Sequence, residues 1–450
     1  MFLLKNMRKY IPAAVVGVLA VVCWSNRSEA KLFDLAEFKL KNGMQVIVIP
    51  NHKAPIIKHM VWYKAGSVDE PRGKGGTAHL LEHLMFRGTR KVKDGEFNRL
   101  INENGGDSNA FTSQDYTAYH QLLDISKLEL AMALEADRMQ NLQISDEAFA
   151  KEREIVFQER KQMIDNNPLA YFGENLRKLL WQDHPYGLSV AGTEADIKAI
   201  TKEDVENFYQ RFYAPNNAIL VLSGDIDPQT AEQLAEKYYG VIESRPLGDK
   251  AEFPKFKRRF EADLEMRLSQ ISAPRLIIYY PAPSVNEDKS SIYALNLLAN
   301  YLGGGETSKL YKKLVDEQKI ALSVSAGYDA DQRSYGTFGI SVVPREGVAK
   351  EDAEAGTFRA VSEALAEMNS KEIGKIKQKM LAGLVYLRDN PGDAAYITGA
   401  MAAVGYDTDE INMQDEKLRK VEYQEVKEAA AKLFKQSRVT GWVNSVKESQ

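Results

Sequence analysis

The feature that most constrains this 450-residue chain is that it repeats itself once. Val61-Trp62-Tyr63-Lys64-Ala65-Gly66-Ser67-Val68-Asp69-Glu70 precedes a segment containing His79-Leu80-Leu81-Glu82-His83-Leu84. Ile278-Tyr279-Tyr280-Pro281-Ala282-Pro283-Ser284-Val285-Asn286-Glu287 precedes Asn296-Leu297-Leu298-Ala299-Asn300-Tyr301. The step from Ser67 to Ser284 equals the step from His79 to Asn296, 217 residues, so one gapless register covers a strand and the helix after it. The proline of Asp165-Asn166-Asn167-Pro168 stands 223 residues before that of Asp389-Asn390-Pro391. Such self-similarity marks a tandem duplication of one supersecondary unit. Leu80 and Leu81 keep their counterparts Leu297 and Leu298, whereas His79, Glu82 and His83 face Asn296, Ala299 and Asn300. Packing positions survive the duplication and polar ones do not. All six histidines (His52, His59, His79, His83, His120 and His184) lie in the first copy, so only that copy can offer imidazole chemistry.

The remaining patterning, with strand and helix signals in both copies, predicts two tandem homologous α+β domains. Phe38-Lys39-Leu40 and Met44–Ile49 flank Asn42-Gly43, a strand-turn-strand signal. Helical periods fill 126–142, 145–163 and 201–212, and the β-rich run Ala218–Gly224 closes the first unit. The proline- and charge-rich stretch 244–263 reads as a linker, giving domains at 31–243 and 264–450. Residues 1–30 read as a secretory signal peptide. Lys5, Arg8 and Lys9 precede an apolar run from Ile11 to Trp24, and Ser28-Glu29-Ala30 offers small residues at a cleavage site. The run is short of the roughly 20 residues that span a bilayer, so an uncleaved membrane anchor is the alternative to a periplasmic, exported protein. The only cysteine, Cys23, leaves with that segment, so any metal site in the mature chain must use imidazole and carboxylate. With 59 basic and 63 acidic residues, the net charge of -4 gives no footprint for nucleic acid, and 44% hydrophobic residues exclude a disordered chain.

His79 and His83 are separated by one helical turn and can present two imidazoles to one ion. Glu82 sits beside that face. The pattern H-x-x-E-H is the inverted zincin arrangement, in which two neutral histidines hold zinc and the glutamate moves the proton of the attacking water to the leaving amine. A catalytic zinc needs a third protein ligand, and without cysteine this should be a carboxylate on a neighbouring element. Glu152 and Glu159 in Lys151–Glu159 are seven apart on one helical face, with Glu154 pointing away. Spacing alone does not choose between them, nor between ligands and solvated charges.

Gly75–Thr89 together with Glu152–Glu159 resembles the pitrilysin/insulinase family of metallopeptidases, in its branch of mitochondrial-processing-peptidase-like bacterial proteins, and the similarity runs over essentially the whole mature chain. The resemblance implies Zn2+ held by His79, His83 and Glu159, with Glu82 as the catalytic base and Glu152 as an auxiliary carboxylate. It implies that substrate adds to an edge strand containing Asn109, Ala110, Phe111 and Thr112, and it suggests Arg333 and Tyr335 as residues orienting substrate from the second domain. The resemblance further implies that each domain is α+β, a mainly antiparallel sheet packed with helices, and that two such domains form half of a four-domain clamshell, hence a homodimer, or a heterodimer with a related chain lacking the zinc motif. The expected function is a zinc endopeptidase acting on peptides or unfolded polypeptide segments. The alternative is a non-catalytic, complex-building subunit like the respiratory-complex core proteins that resemble this family; the complete set of His79, Glu82, His83 and Glu159 argues against it.

Overall fold

The computed structural model describes residues 32–446 apart from 249–250, 257–259 and 388–389. The predicted signal segment, 1–30, lies outside the described residues, as do parts of the 244–263 stretch.

The first half builds a six-stranded sheet from β1 (Ala36–Lys39), β2 (Gln45–Pro50), β3 (Ile56–Tyr63), β4 (Asp107–Thr112), β5 (Thr117–Asp124) and β6 (Ala218–Gly224). The second half builds a five-stranded sheet from β7 (Ala262–Leu268), β8 (Arg275–Ala282), β9 (Ala321–Asp329), β10 (Gly336–Pro344) and β11 (Val439–Ser445). Their orders are β1-β2-β6-β3-β5-β4 and β7-β11-β8-β10-β9. Both share one wiring. β2 runs parallel to β6 and β7 parallel to β11, and every later neighbour is antiparallel. The duplicated sequence has folded into a duplicated α+β topology, and β1 is an extra edge strand on the first copy. The second sheet starts at Ala262, inside the stretch read as linker.

β6 is buried along its whole length, the signature of a central strand covered on both faces. One face of the first sheet carries its own helices, including α1 (Thr77–Leu84), through Leu80, Leu81 and Leu84 against Val61, Tyr63 and Leu220. The opposite face is covered by the helix Pro391–Val404, which belongs to the second half of the chain; its Ala394, Ala395 and Met401 pack on Ile47, Met60, Trp62 and Val221. The reciprocal holds for the second sheet. There the helix Pro168–Trp181, from the first half, lays Phe172, Leu176 and Leu180 on Val439 and Val443. The two halves exchange equivalent helices.

The repeated Asn-Pro pair explains how each exchanged helix begins. Asn167 and Asn390 are N-caps whose side chains accept backbone N–H groups, from Ala170 at 3.2 Å and Gly392 at 2.8 Å. Each is followed by proline in the first turn, where the missing N–H costs nothing. The two contacts then fit by opposite means. Gly399 lies flat on the Trp62 indole, where a Cβ would come within 2.1 Å of the ring, whereas the other helix brings Phe172 and Leu176 down onto Gly441. Large meets small on both sides of the molecule.

Candidate active site

The helix carrying His79 begins at Gly76, whose φ of 93° is a left-handed conformation that favours glycine. No side chain of the helix itself caps it. The Glu70 carboxylate does so from the preceding turn, accepting the N–H groups of Gly76 at 3.0 Å and Ala78 at 2.8 Å. Negative charge there also suits the helix dipole. With Ala78, Leu80, Leu81 and Leu84 driven into the core, His79, Glu82 and His83 are left on the half-buried face.

Opposite stands the helix Asp146–Arg160, started by Ser145, whose hydroxyl accepts the Ala148 N–H at 3.0 Å. Its apolar stripe of Phe149, Val156 and Phe157 packs into the same core as α1. This turns Glu152 and Glu159 toward the histidines, while Glu154 is exposed and accepts a hydrogen bond from Gln158. Ligand atoms of His79, His83 and Glu159 all lie within 4.8 Å of one another. Glu159 Oε2 is 3.4 Å from His83 Nε2 and 3.7 Å from His79 Nε2. Tetrahedral zinc with bonds of about 2.0–2.1 Å sets its donors about 3.3–3.4 Å apart, close to the spacing of Glu159 Oε2 from each Nε2. Burial, reinforced by His83, pushes His79 down to about 4 and keeps it in the neutral form a metal requires.

Glu152 does not join the three donors. It is fully buried behind His83, with one oxygen 3.2 Å from Nδ1 and the other 2.8 Å from Arg87 Nη2. A carboxylate on Nδ1 makes that nitrogen the protonated one and leaves Nε2 free to ligate. Glu82 accepts a hydrogen bond from the Thr112 hydroxyl at 2.6 Å. Burial raises its carboxyl above the ordinary range, against the opposing pull of that bond and of His83.

Thr112 ends β4, which among the described residues pairs only with β5 and is therefore a free sheet edge beside the site. Asn109 is exposed on this strand and Ala110 packs toward the α1 core. Phe111 points to the other face, its ring centroid 5.3 Å from that of Trp62. The two second-half residues are engaged elsewhere. Arg333 forms ion pairs with Asp69 at 3.0 Å and Asp115 at 3.1 Å, and Tyr335 accepts the Phe256 N–H at 3.1 Å in an aromatic cluster with Trp181. The other four histidines have other partners: His52 with Asp225, His59 with Gln121 and Tyr239, His120 with Lys58, His184 with Ser334. Sequence reasoning missed Arg87 and Glu70. Arg87 stands one helical turn after His83, which was its only signal.

The model described as Insulinase (Peptidase family M16) matches residues 45–194, and the one described as Peptidase M16 inactive domain matches residues 199–380. The chain is 32% identical over 287 residues to the zinc protease PqqE of Helicobacter pylori, a match covering 63% of this chain and 64% of that protein, just under two thirds of its length. It is 27% identical over 365 residues to an uncharacterised zinc protease of Mycobacterium leprae, covering 80% of this chain and 79% of the other. Among solved structures, a protease from Helicobacter pylori matches with a TM-score of 0.82 at 27% identity, over 92% of this chain and all of that one. The periplasmic protease PqqL from Escherichia coli shares the fold at 18% identity and a TM-score of 0.78, over 92% of this chain but 48% of its own. Two tandem domains of this kind thus make half of that longer clamshell. On its motif-bearing first half and its motif-free second half alike, the chain belongs to the insulinase family, peptidase family M16.

Proposed function

We propose that this chain is a zinc endopeptidase that hydrolyses peptides or unfolded polypeptide segments, with Glu82 as the base. The observation that carries this reading is the convergence of His79, His83 and Glu159 beside a glutamate that is hydrogen-bonded to a free sheet edge. Zinc held by the three donors would supply a Lewis acid for the scissile carbonyl and make its water acidic near neutral pH. An extended peptide adds to β4 by main-chain hydrogen bonds, past Asn109, Ala110, Phe111 and Thr112, which brings its backbone to the open side of the site. Glu82 takes the proton of the attacking water on its carboxylate and delivers it to the leaving amine. Thr112 holds one oxygen of that carboxylate in place. Glu152 and Arg87 keep His83 in the tautomer that ligates. A closed structural site would want a fourth ligand where this one has a base.

Export to the periplasm fits the amino-terminal segment, and PqqL of Escherichia coli is named as a periplasmic protease. We further propose that two chains, or this chain and a relative lacking the motif, pair to complete the chamber. The test is zinc content and cleavage of an unstructured peptide by Glu82→Gln. Zinc should stay bound while cleavage falls on the order of a thousandfold; full activity in that variant would sink the mechanism.

A further inference from the structure

We propose that Arg333, supplied by the motif-free half, is a positioning residue for the active site of the other half. It clamps together the two turns that carry the start of α1 and the end of β4. The inference rests on the peptidase reading of that site.

The clamp is built from named bonds. Arg333 Nη2 donates to both carboxylate oxygens of Asp69 at 3.0 Å, its Nε donates to Asp115 Oδ1 at 3.1 Å, and its backbone N–H donates to Asp115 Oδ2 at 3.1 Å. The guanidinium also sits over the Phe253 ring, 5.3 Å from its centroid. The paired side chains are almost inaccessible, at 11% for Arg333, 0% for Asp69 and 3% for Asp115. A planar fork joining two carboxylates in this way is a geometry lysine cannot reproduce.

Each carboxylate belongs to a turn with a short path to the chemistry. Asp69 is followed by Glu70, whose carboxylate holds the Gly76 and Ala78 amides, and His79 is the next residue. Asp115 lies three residues beyond Thr112, whose hydroxyl holds Glu82. The turns are also stitched directly, Ser67 N–H to the Ser113 carbonyl at 3.1 Å and Val68 N–H to the Gln114 carbonyl at 3.0 Å. They approach so closely at Gly66 that a Cβ there would come within 2.5 Å of both the Ser113 and Gln114 carbonyl oxygens. The turns therefore move as one body, and Arg333 fixes that body to the second half. Loosening it displaces the base and the first ligand together, and misplacements of about 1 Å cost on the order of a hundredfold in rate. A side chain spent in this way does not reach substrate. The role differs from the substrate-orienting one that the family resemblance suggests for Arg333.

The two roles separate in kinetics. Arg333→Gln, Arg333→Lys and Asp115→Asn are compared with the wild-type full chain for zinc content, kcat and KM on a quenched unstructured peptide, and amide hydrogen exchange over residues 76–80 and 109–116. The clamp requires zinc retained, KM within about twofold, kcat lower by roughly tenfold to a hundredfold in all three, and faster exchange in both segments. A KM raised tenfold at unchanged kcat would overturn it in favour of substrate contact. Unchanged kcat and unchanged exchange in a folded variant would overturn it in favour of a passive strap. If Arg333→Gln does not fold, Arg333→Lys and Asp115→Asn carry the same comparison. If the wild-type chain cleaves no peptide, the peptidase reading fails and exchange alone decides the clamp: rates unchanged from wild type refute it.

Discussion

Replacing Glu152 by glutamine removes one charge from behind His83, a proposed zinc ligand, and almost nothing else. Glu152 is 0% exposed, and the amide keeps the shape of the carboxylate and an oxygen that can still accept from His83 Nδ1. Arg87 retains a second partner in Asp94 at 3.3 Å, so the variant strands no cation. What changes is the strength of one hydrogen bond. A bond to a charged group contributes about 1.5–3 kcal/mol and a neutral one about 0.5–1.5 kcal/mol, a difference of about 1–1.5 kcal/mol that corresponds to roughly a tenfold loss of zinc affinity. Glu152→Ala removes the bond as well and should lose about a hundredfold. The measurement is calorimetric titration of the apo chain with zinc in competition with a chelator of known affinity, at one pH, with the melting temperature of each apo variant as control. Equal affinity for wild type and both variants would refute the argument that Glu152 sets the His83 tautomer and basicity.

Two further expectations concern the scaffold. Gly399→Val drives a side chain into the Trp62 indole and should lower unfolding free energy by about 3 kcal/mol, read from the urea midpoint; an unchanged midpoint would mean that the exchanged helix does not bear on that sheet. His184 is buried, accepts the Tyr186 N–H on Nδ1 and is pushed by burial from 6.5 to about 4. A base with a depressed folded pKa contributes stability above about pH 6.5 and loses it as pH falls toward 4, because the unfolded state takes up the proton first. The melting temperature of the wild type should therefore fall across that window and that of His184→Gln should fall less. His59 and His120, both lowered by burial, keep the same sign in the variant, so only part of the slope disappears. A slope unaltered by the substitution would contradict this assignment.

The convergence of His79 and His83 was legible because it is local. Histidines at i and i+4 share a face wherever the helix packs, and leucines between them say which side turns inward. The duplication was legible because Ser284, Leu297 and Leu298 kept their register through loss of the chemistry. What was not legible lies in partners remote along the chain. Phe172 and Leu176 lie in a helix that the sequence patterns do not single out, and nothing near them names the sheet that receives them. Arg333 is an arginine in a turn until Asp69 and Asp115, 264 and 218 residues away, are brought to it. The third carboxylate stands between these cases. Spacing narrowed it to Glu152 and Glu159, the family resemblance pointed to Glu159, and the packing of Val156 and Phe157 beside α1 brings its oxygen to both imidazoles.

The exchanged helices also bear on how such a chain can change over time. A duplicate that sheds its catalytic residues is ordinarily free to erode, since nothing selects for what it no longer does. Here the motif-free copy roofs the back of the motif-bearing sheet with Pro391–Val404 and takes Pro168–Trp181 in return. Deleting either copy would strip a sheet face in the survivor and expose Trp62 or Val443 to water. The half without the motif is thereby shielded from loss by what it covers.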